Sequence, residues 1–557
     1  MPIVAGIDSS PSTTRVVVCD ALSGKVMRKA AVAHAAAADD DPHEWWNALV
    51  KACDGDILDG VQAVAVSGQR QALVALDNAG GVVRPALMST DFRAANSADD
   101  LVVEGGGPGA WAAAVGSVPT AAFPIAKLRW LAQREPENAA RVAAVLQPHD
   151  WLTWLLLGGA AGPVTDRGEA SGTGYWSPFS NDYRTALLTH AFGREVAVPR
   201  VLGPVEPAGA TSAGVLVAPG TGSAMAQVLG LSAEPGDVVI SVGATGTLFA
   251  GGLERPVADP SGIVSGFADA TGGFLAMTRT GEAMATLEAA AKMTGVDLQT
   301  LSRQALESTP GAQGVVLVPP TAGQPGSLTG LRLARMTAPN LARAAVEGLL
   351  CGIAEGLDAL AAQMASVGTP LRRVILTGKG ARLDAVRLIA PAIFGVPVAV
   401  AVSGSFEDGP GGGLTSTGVF AALDATGVPK PGSGRPTGAV MLGGSEIMAI
   451  GAARQAAWVL AASTAPGGEA PKAPPTWNES VMFKDSPNAK AGIGAGVRAQ
   501  FAGAREATLA SMGVLATQPS PTNPTNPTNP TGPTNPALAA PGGNGVGSTV
   551  PAGILPQ

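Results

Sequence analysis

Three times along this chain a short apolar strand runs into a turn of glycines and small hydroxyl residues, and no other feature restricts the fold as much. The first case is Gly6-Ile7-Asp8-Ser9-Ser10-Pro11-Ser12-Thr13-Thr14-Arg15, where apolar runs at residues 3–8 and 15–19 predict a hairpin. The second is Ser241-Val242-Gly243-Ala244-Thr245-Gly246-Thr247, directly after a strand-like run at 238–242. The third is Leu376-Thr377-Gly378-Lys379-Gly380-Ala381-Arg382, a strand entering a Gly-rich turn and then a helix. Turns of this kind expose backbone N–H groups and hydroxyls to a phosphate, and an Asp at a strand end can hold Mg²⁺ through water. Taken singly, each also reads as an ordinary polar turn, because the chain contains 74 glycines.

The rest of the pattern alternates strands with helices, the signature of an α/β fold. Further strand-like runs stand at 61–66, 73–76, 315–318 and 374–376. Helical spacing occurs at 120–133, at 137–145, from 151 onward, and over 341–365, which has no internal Pro. Two stretches differ. Residues 403–444 are rich in Gly, Pro, Ser and Thr, with a short helical piece at 419–424. From about 463 to 557 the chain is Pro/Gly/Ala-rich and includes the repeat Pro521-Thr522-Asn523. Proline lacks an amide donor and disfavours helix before it, so this tail is read as disordered or extended.

Composition removes several classes of function. Hydrophobic residues make up 46% and charged residues 14%, the reverse of a disordered chain. The net charge of −7 leaves no basic face for nucleic acid. Cys19, Cys53 and Cys351 are far apart, and His34, His43, His149 and His190 have no metal-ligand spacing, so neither a disulfide framework nor a zinc site is expected. Mean hydropathy is +0.24, yet the most apolar stretch, 388–402, is short for a membrane span and is broken by Pro391 and Pro397. The N-terminus has no basic n-region and no signal-peptide core, and a cytoplasmic location is expected.

The order of the three turns is that of actin-like ATPase domains, and longer stretches sharpen the likeness. They include Ser67-Gly68-Gln69, Asp91-Phe92-Arg93, Pro148-His149-Asp150-Trp151-Leu152 and Val164-Thr165-Asp166-Arg167-Gly168-Glu169-Ala170-Ser171-Gly172-Thr173-Gly174-Tyr175-Trp176. Gly451-Ala452-Ala453-Arg454-Gln455-Ala456-Ala457-Trp458 extends them. On these residues the chain resembles the FGGY family of carbohydrate kinases, and most closely the xylulokinases. The resemblance implies two actin-like (ribonuclease H-like) α/β domains flanking a cleft: a sugar-binding domain over 1–231 and a nucleotide-binding domain over 236–462, the latter carrying the 403–444 insert. It implies ATP and Mg²⁺, a small-molecule sugar, no nucleic acid or membrane partner, and a possible homodimer. By residue, it implies Asp8 for Mg²⁺ through water. Ser10, Thr13, Arg15, Gly243, Thr245, Gly378, Lys379, Gly380 and Ala381 would bind ATP. Gln69, Arg70, Gln71, Asp91 and Asp166 would bind the sugar.

The chain departs from the family at working positions. The family's catalytic Asp lies in a Gly-Asp-Asn stretch, and the matching residues here are Gly222-Ser223-Ala224. Ser223 stands where the Asp base belongs, and a hydroxyl takes no proton near neutral pH, so about 10²- to 10⁴-fold in rate is at stake. The sugar-contacting Met-His or Gln-His is Arg70-Gln71 here, the phosphate turn has lost one hydroxyl in Gly243-Ala244-Thr245-Gly246, and the adenosine turn reads Gly378-Lys379-Gly380. Two expectations follow. One is a ketopentose kinase that makes D-xylulose 5-phosphate with a substitute base, for which Asp166, Asp91 and Glu169 are candidates. The other is a pseudokinase that binds nucleotide or sugar without turnover.

Overall fold

The computed structural model describes residues 1–35, 40–159, 161–321, 325–403, 442–465, 469–478, 481–486 and 492–511. Two seven-stranded sheets organise them. The first begins with β1 (Ile3–Ser10), β2 (Thr13–Asp20), β3 (Val26–Ala33) and β4 (Val61–Gly68), and ends with the short strands β5 (Gly209–Ala210), β6 (Leu216–Val217) and β7 (Thr221–Gly222). β1 lies at its centre, antiparallel to β2 and parallel to β4, and its residues from Val4 to Ser9 are buried on both faces. The second sheet contains β8 (Asp237–Val242), β9 (Thr245–Leu253), β10 (Ser265–Ala268), β11 (Phe274–Glu282), β12 (Arg373–Thr377), β13 (Val398–Ser403) and β14 (Val481–Asp485). The hairpin β8–β9 and the parallel neighbour β12 repeat the local plan of β1, β2 and β4.

Register places the chemistry. In the first sheet Asp8 pairs with Ser67 of β4 and Arg15 of β2, while Thr221 pairs with Ser67 and Gly222 with Gly68. Asp8, Ser67, and the residues leading into Ser223 therefore share the carboxyl-terminal edge of the parallel strands, where α/β sheets bind ligands. In the second sheet Ser241 pairs with Thr377, which sets the turns after β8 and β12 side by side.

Seven helices matter for the site: α1 (Pro148–Leu156), α2 (Arg167–Ser171), α3 (Ser223–Gly230), α4 (Ala338–Ser366), α5 (Asp384–Phe394), α6 (Gly444–Ser463) and α7 (Ile493–Ser511). The run at 341–365 is the interior of α4, capped by the Thr337 side chain. The apolar stretch 388–402 divides into the end of α5 and β13, and among the described residues no helix is long and apolar enough to cross a membrane. The three cysteines are free thiols.

α6 packs against the first sheet although it follows the second in the chain. Ile447, Ala449 and Ala453 share one core with Val4 and Val17. Small residues make this possible: a Cβ on Gly6 would stand 3.0 Å from the Ala449 carbonyl carbon and nearer still to backbone atoms of α6. α3 crosses α6 just as closely. A Cβ on Gly451 would stand 2.8 Å from the Ala226 carbonyl carbon, and one on Gly230 would stand 3.0 Å from the Gly451 nitrogen.

The chain past Ser463 holds more secondary structure than its composition suggests. Trp477 is buried beside the β2–β3 turn, and its indole N–H donates to the Ala21 carbonyl at 3.1 Å. β14 then pairs antiparallel with β13, Ala399 opposite Asp485. α7 buries Val497 and Phe501, four residues apart on one face, in the core of the second sheet. Apart from its first and last residues, the 403–444 insert lies outside the described residues, as do its expected helical piece at 419–424 and the Pro-Thr-Asn repeats.

Candidate active site

Asp8 lies near the end of β1, where its side chain meets two hydroxyls. Ser10 Oγ donates to Oδ2 and Ser67 Oγ to Oδ1, the latter at 3.2 Å. Both donors favour the carboxylate form. Opposite Asp8 on β2, Arg15 keeps a buried Nε without a hydrogen-bond partner. Thr13 is half-buried at the hairpin tip. A carboxylate with a spare guanidinium donor at one turn suits a hydrated cation and its phosphate.

The glycine turns of the second sheet interlock. The amide of Ala283 donates to the Ala244 carbonyl at 2.9 Å, and that of Met284 to the Gly243 carbonyl at 3.1 Å. Gly378 has φ +83°, a left-handed conformation that favours glycine, and a Cβ there would stand 2.7 Å from the Val242 carbonyl oxygen. Gly380 lies against Val242 and Met284 and, like Ala381, is buried, so these two contribute backbone rather than side chain. Thr245 and Lys379 are exposed. Such a cradle, which side chains would fill, suits a nucleotide.

Between the two sheets lies a polar cluster that the sequence only partly indicated. Gln69, Arg70 and Gln71 follow β4 and are buried. Gln71 adopts φ +56°, uncommon for a residue with a side chain. Three contacts hold it there. Its amide donates to Gln147 Oε1 at 2.9 Å, its carbonyl accepts from Lys127 Nζ, and its side-chain oxygen accepts from Arg279 at 3.3 Å. Lys127 is fully buried and also donates to the Ala122 carbonyl at 2.6 Å. Burial and the nearby Arg279 charge bring its ammonium down to about 7, against the pull of Asp91. Asp91 itself is half-buried and paired with Arg93 at 2.6 Å.

Asp166 is buried at the start of a helix. Its carboxylate caps α2, accepting from the amides of Gly168 at 3.0 Å and Glu169 at 2.9 Å. Thr221 Oγ1 donates to it at 2.8 Å, and His149 lies 3.4 Å away. These partners engage both carboxylate oxygens. The cap was visible as Asp-x-x-Glu ahead of a helix.

Sequence reading missed Lys127, His149 and Arg279 as members of this cluster. A lysine among Ile125, Ala126 and Leu128 was the available signal for the first of them. His149 is buried 3.2 Å from Asp150. Burial opposes its charge, but Asp150, Asp166 and Glu169 outweigh that and hold it up to about 9. Glu169 is also buried, and burial lifts its carboxyl to about 8 even though His149 and Arg70 favour the anion. Burial and Arg279 bring Arg70 down to about 10, and Glu169 pulls the other way. Ser223 is half-buried at the start of α3, with no carboxylate of its own.

Comparison with known proteins agrees with this geometry. The sequence model of the FGGY family of carbohydrate kinases, N-terminal domain, matches residues 3–232, and that of the C-terminal domain matches 238–405. The chain is 38% identical to a xylulose kinase of Streptomyces coelicolor over 421 residues, covering 72% of this chain and 84% of the relative. It is 38% identical over 403 residues to a xylulose kinase of Streptomyces rubiginosus, covering 68% and 80%. The crystal structure of a xylulose kinase from Bifidobacterium adolescentis superposes with a TM-score of 0.73 at 32% identity, covering 90% of this chain and 99% of the other.

Proposed function

The chain belongs to the FGGY family of carbohydrate kinases, and we propose that within it the protein transfers the γ-phosphoryl group of ATP to a hydroxyl of a ketopentose, D-xylulose, giving D-xylulose 5-phosphate. The observation that carries this reading is the contact of Gln71 with Arg279, which joins the polar end of β4 to the second sheet. The assignment to xylulose also draws on the xylulose kinases to which the chain is similar.

In this reading the amides of the Gly243 turn and the hydroxyls of Ser10, Thr13 and Thr245 hold the phosphates, and Gly378 to Ala381 supports the adenosine. Asp8 would hold Mg²⁺ through water, and the ion, when bound, neutralises charge on the transferring group. Phosphoryl transfer asks for in-line positioning and charge neutralisation more than covalent help, and backbone amides fixed by interlocked turns supply both without reorganising. Gln69, Arg70 and Gln71 would orient the sugar. The contacts of Arg70 and Gln71 with Met277 and Arg279 span the two sheets, so sugar binding and the approach of the second sheet act on the same residues.

A second reading, a kinase fold that binds without turnover, is favoured by Ser223-Ala224 and the altered sugar loop at Arg70-Gln71. One assay separates the two: ADP release by the full chain with Mg-ATP, with and without D-xylulose, together with identification of the sugar product by mass spectrometry. Sugar-dependent ADP release with a matching sugar phosphate is the expected result. ADP release that ignores the sugar would retire the proposal.

A further inference from the structure

If the protein is a kinase, its missing base must be replaced, and Asp91, Asp166 and Glu169 are the carboxylates to weigh. Two of them are already engaged. Asp166 is taken up by the α2 cap and by Thr221, and Asp91 by Arg93. Glu169 differs. It is 1% exposed, and its Oε2 has no hydrogen-bond partner. It lies directly against Gly222, the residue before Ser223: a Cβ on Gly222 would stand 2.7 Å from the Glu169 carboxyl carbon, and nearer still to one of its oxygens. Only glycine at 222 leaves room for that carboxylate beside the start of α3.

Arg70 completes the arrangement. Its Cγ would be 2.7 Å from the same Cβ, and its Nε and Nη1 are buried without partners, as is Nε2 of Gln69. Arg70 and Glu169 carry opposite charges in one buried region, yet each leaves donors or acceptors unfilled. Buried orphans of this kind are costly, and they are found where a ligand completes the set.

We propose that Glu169 is the general base of this enzyme, occupying the functional place that Ser223 vacates, with Arg70 and Gln69 orienting the attacked hydroxyl toward it. The proposal rests on the kinase reading above. In the step, the sugar O–H bond breaks and its proton passes to Glu169 Oε2. The sugar oxygen bonds to the γ-phosphorus, the bond from that phosphorus to the bridging oxygen breaks, and ADP leaves with the electron pair. Solvent takes the proton from Glu169 after the product departs. Glu169 sits close to the pH at which a base is most useful, because burial holds it at about 8. The charged groups facing it are Arg70 after β4, His149 and Asp150 at the start of α1, and Asp166 at its own cap, with Arg279 of β11 behind Arg70.

The test measures xylulose-dependent ADP release in the full chain for the natural protein, Glu169→Gln, Ser223→Asp, and the pair combined. Melting temperature and its shift with Mg-ADP serve as checks on folding. Three results together are expected: turnover by the natural protein, a loss of about 10²- to 10⁴-fold in Glu169→Gln at little change in xylulose KM, and recovery in the combined variant. The pH profile adds a readout that a structural role would not move. The natural protein should lose kcat below about pH 8, and in the combined variant that limb should shift toward the lower range of an Asp. If Glu169→Gln fails to fold, this limb in the natural protein decides alone, and its absence overturns the proposal. Turnover that survives Glu169→Gln within tenfold removes Glu169 as the base and leaves the kinase reading intact. Silence in the natural protein with activity in Ser223→Asp means that no substitute base works. Silence in both overturns this proposal and the kinase reading together.

Discussion

Replacing Gly451 by Ala adds one methyl group where α6 crosses α3, and the structure determines the sign of the effect. The new carbon would stand 2.8 Å from the Ala226 carbonyl carbon and 2.9 Å from the Gly230 nitrogen, and nearer still to the Ala226 oxygen. Comfortable carbon contacts begin at about 3.5 Å, so the helices must part by about 1 Å. Each of these neighbours is backbone, so no side chain can swing away. Overpacking of this kind costs about 1–3 kcal/mol. Against it, Ala is the better helix former by about 1 kcal/mol, which leaves a net loss of up to about 2 kcal/mol. Gly352 in α4 is the control, because a Cβ there meets nothing within 4 Å. Gly352→Ala should gain about 0.5–1 kcal/mol from helix propensity alone. Urea unfolding of both variants beside the natural protein measures the difference. If Gly451→Ala proves as stable as Gly352→Ala, the close crossing of the two helices is not what holds the sheets together.

Other expectations concern the site and its surroundings. Lys127→Met should leave the buried carbonyls of Gln71 and Ala122 short of a donor, lowering stability by about 1–3 kcal/mol and raising the KM for sugar as the Gln71 backbone relaxes; thermal melting and steady-state kinetics measure both. Asp8→Asn should cut sugar-dependent turnover by about 10²-fold or more, and titration with Mg²⁺ should not restore it. Glu169 and His149 both have folded values raised above their ordinary ones, to about 8 and about 9, so the stability they contribute is complete in acid and lost as pH rises through those values. Lys127, lowered to about 7, acts in the opposite sense above that pH. The urea midpoint should therefore fall between about pH 5 and 7, and Glu169→Gln should flatten that slope. Trp477→Ala should cost about 3–5 kcal/mol and speed proteolysis of the chain beyond 463, which limited digestion would show.

Local patterns were readable wherever short-range physics dominates. The β1–β2 hairpin, the interior of α4 and the three turns at strand ends all follow from periodicity and turn chemistry in contiguous residues. The polar cluster does not, because Lys127, His149, Glu169 and Arg279 lie far apart in sequence; Glu169 stood only as one candidate base, and Lys127 and Arg279 read singly as ordinary charged residues. Their shifts arise from burial, which only the packed chain creates. Asp166 was assigned to the sugar because its motif matched, although its spacing to Glu169 already described a helix cap. α6 falls within the nucleotide-binding domain that the resemblance implies, and its packing on the first sheet depends on small residues that meet only in the fold. Trp477 and β14 were hidden by the Pro- and Ala-rich composition around them.

The contact of Trp477 with the first sheet and the start of β14 on the second are separated by four residues. A chain of that length reaches at most about 14 Å even when fully drawn out. At these two anchor points the sheets are therefore held within that distance of each other. Removing either anchor would remove that limit.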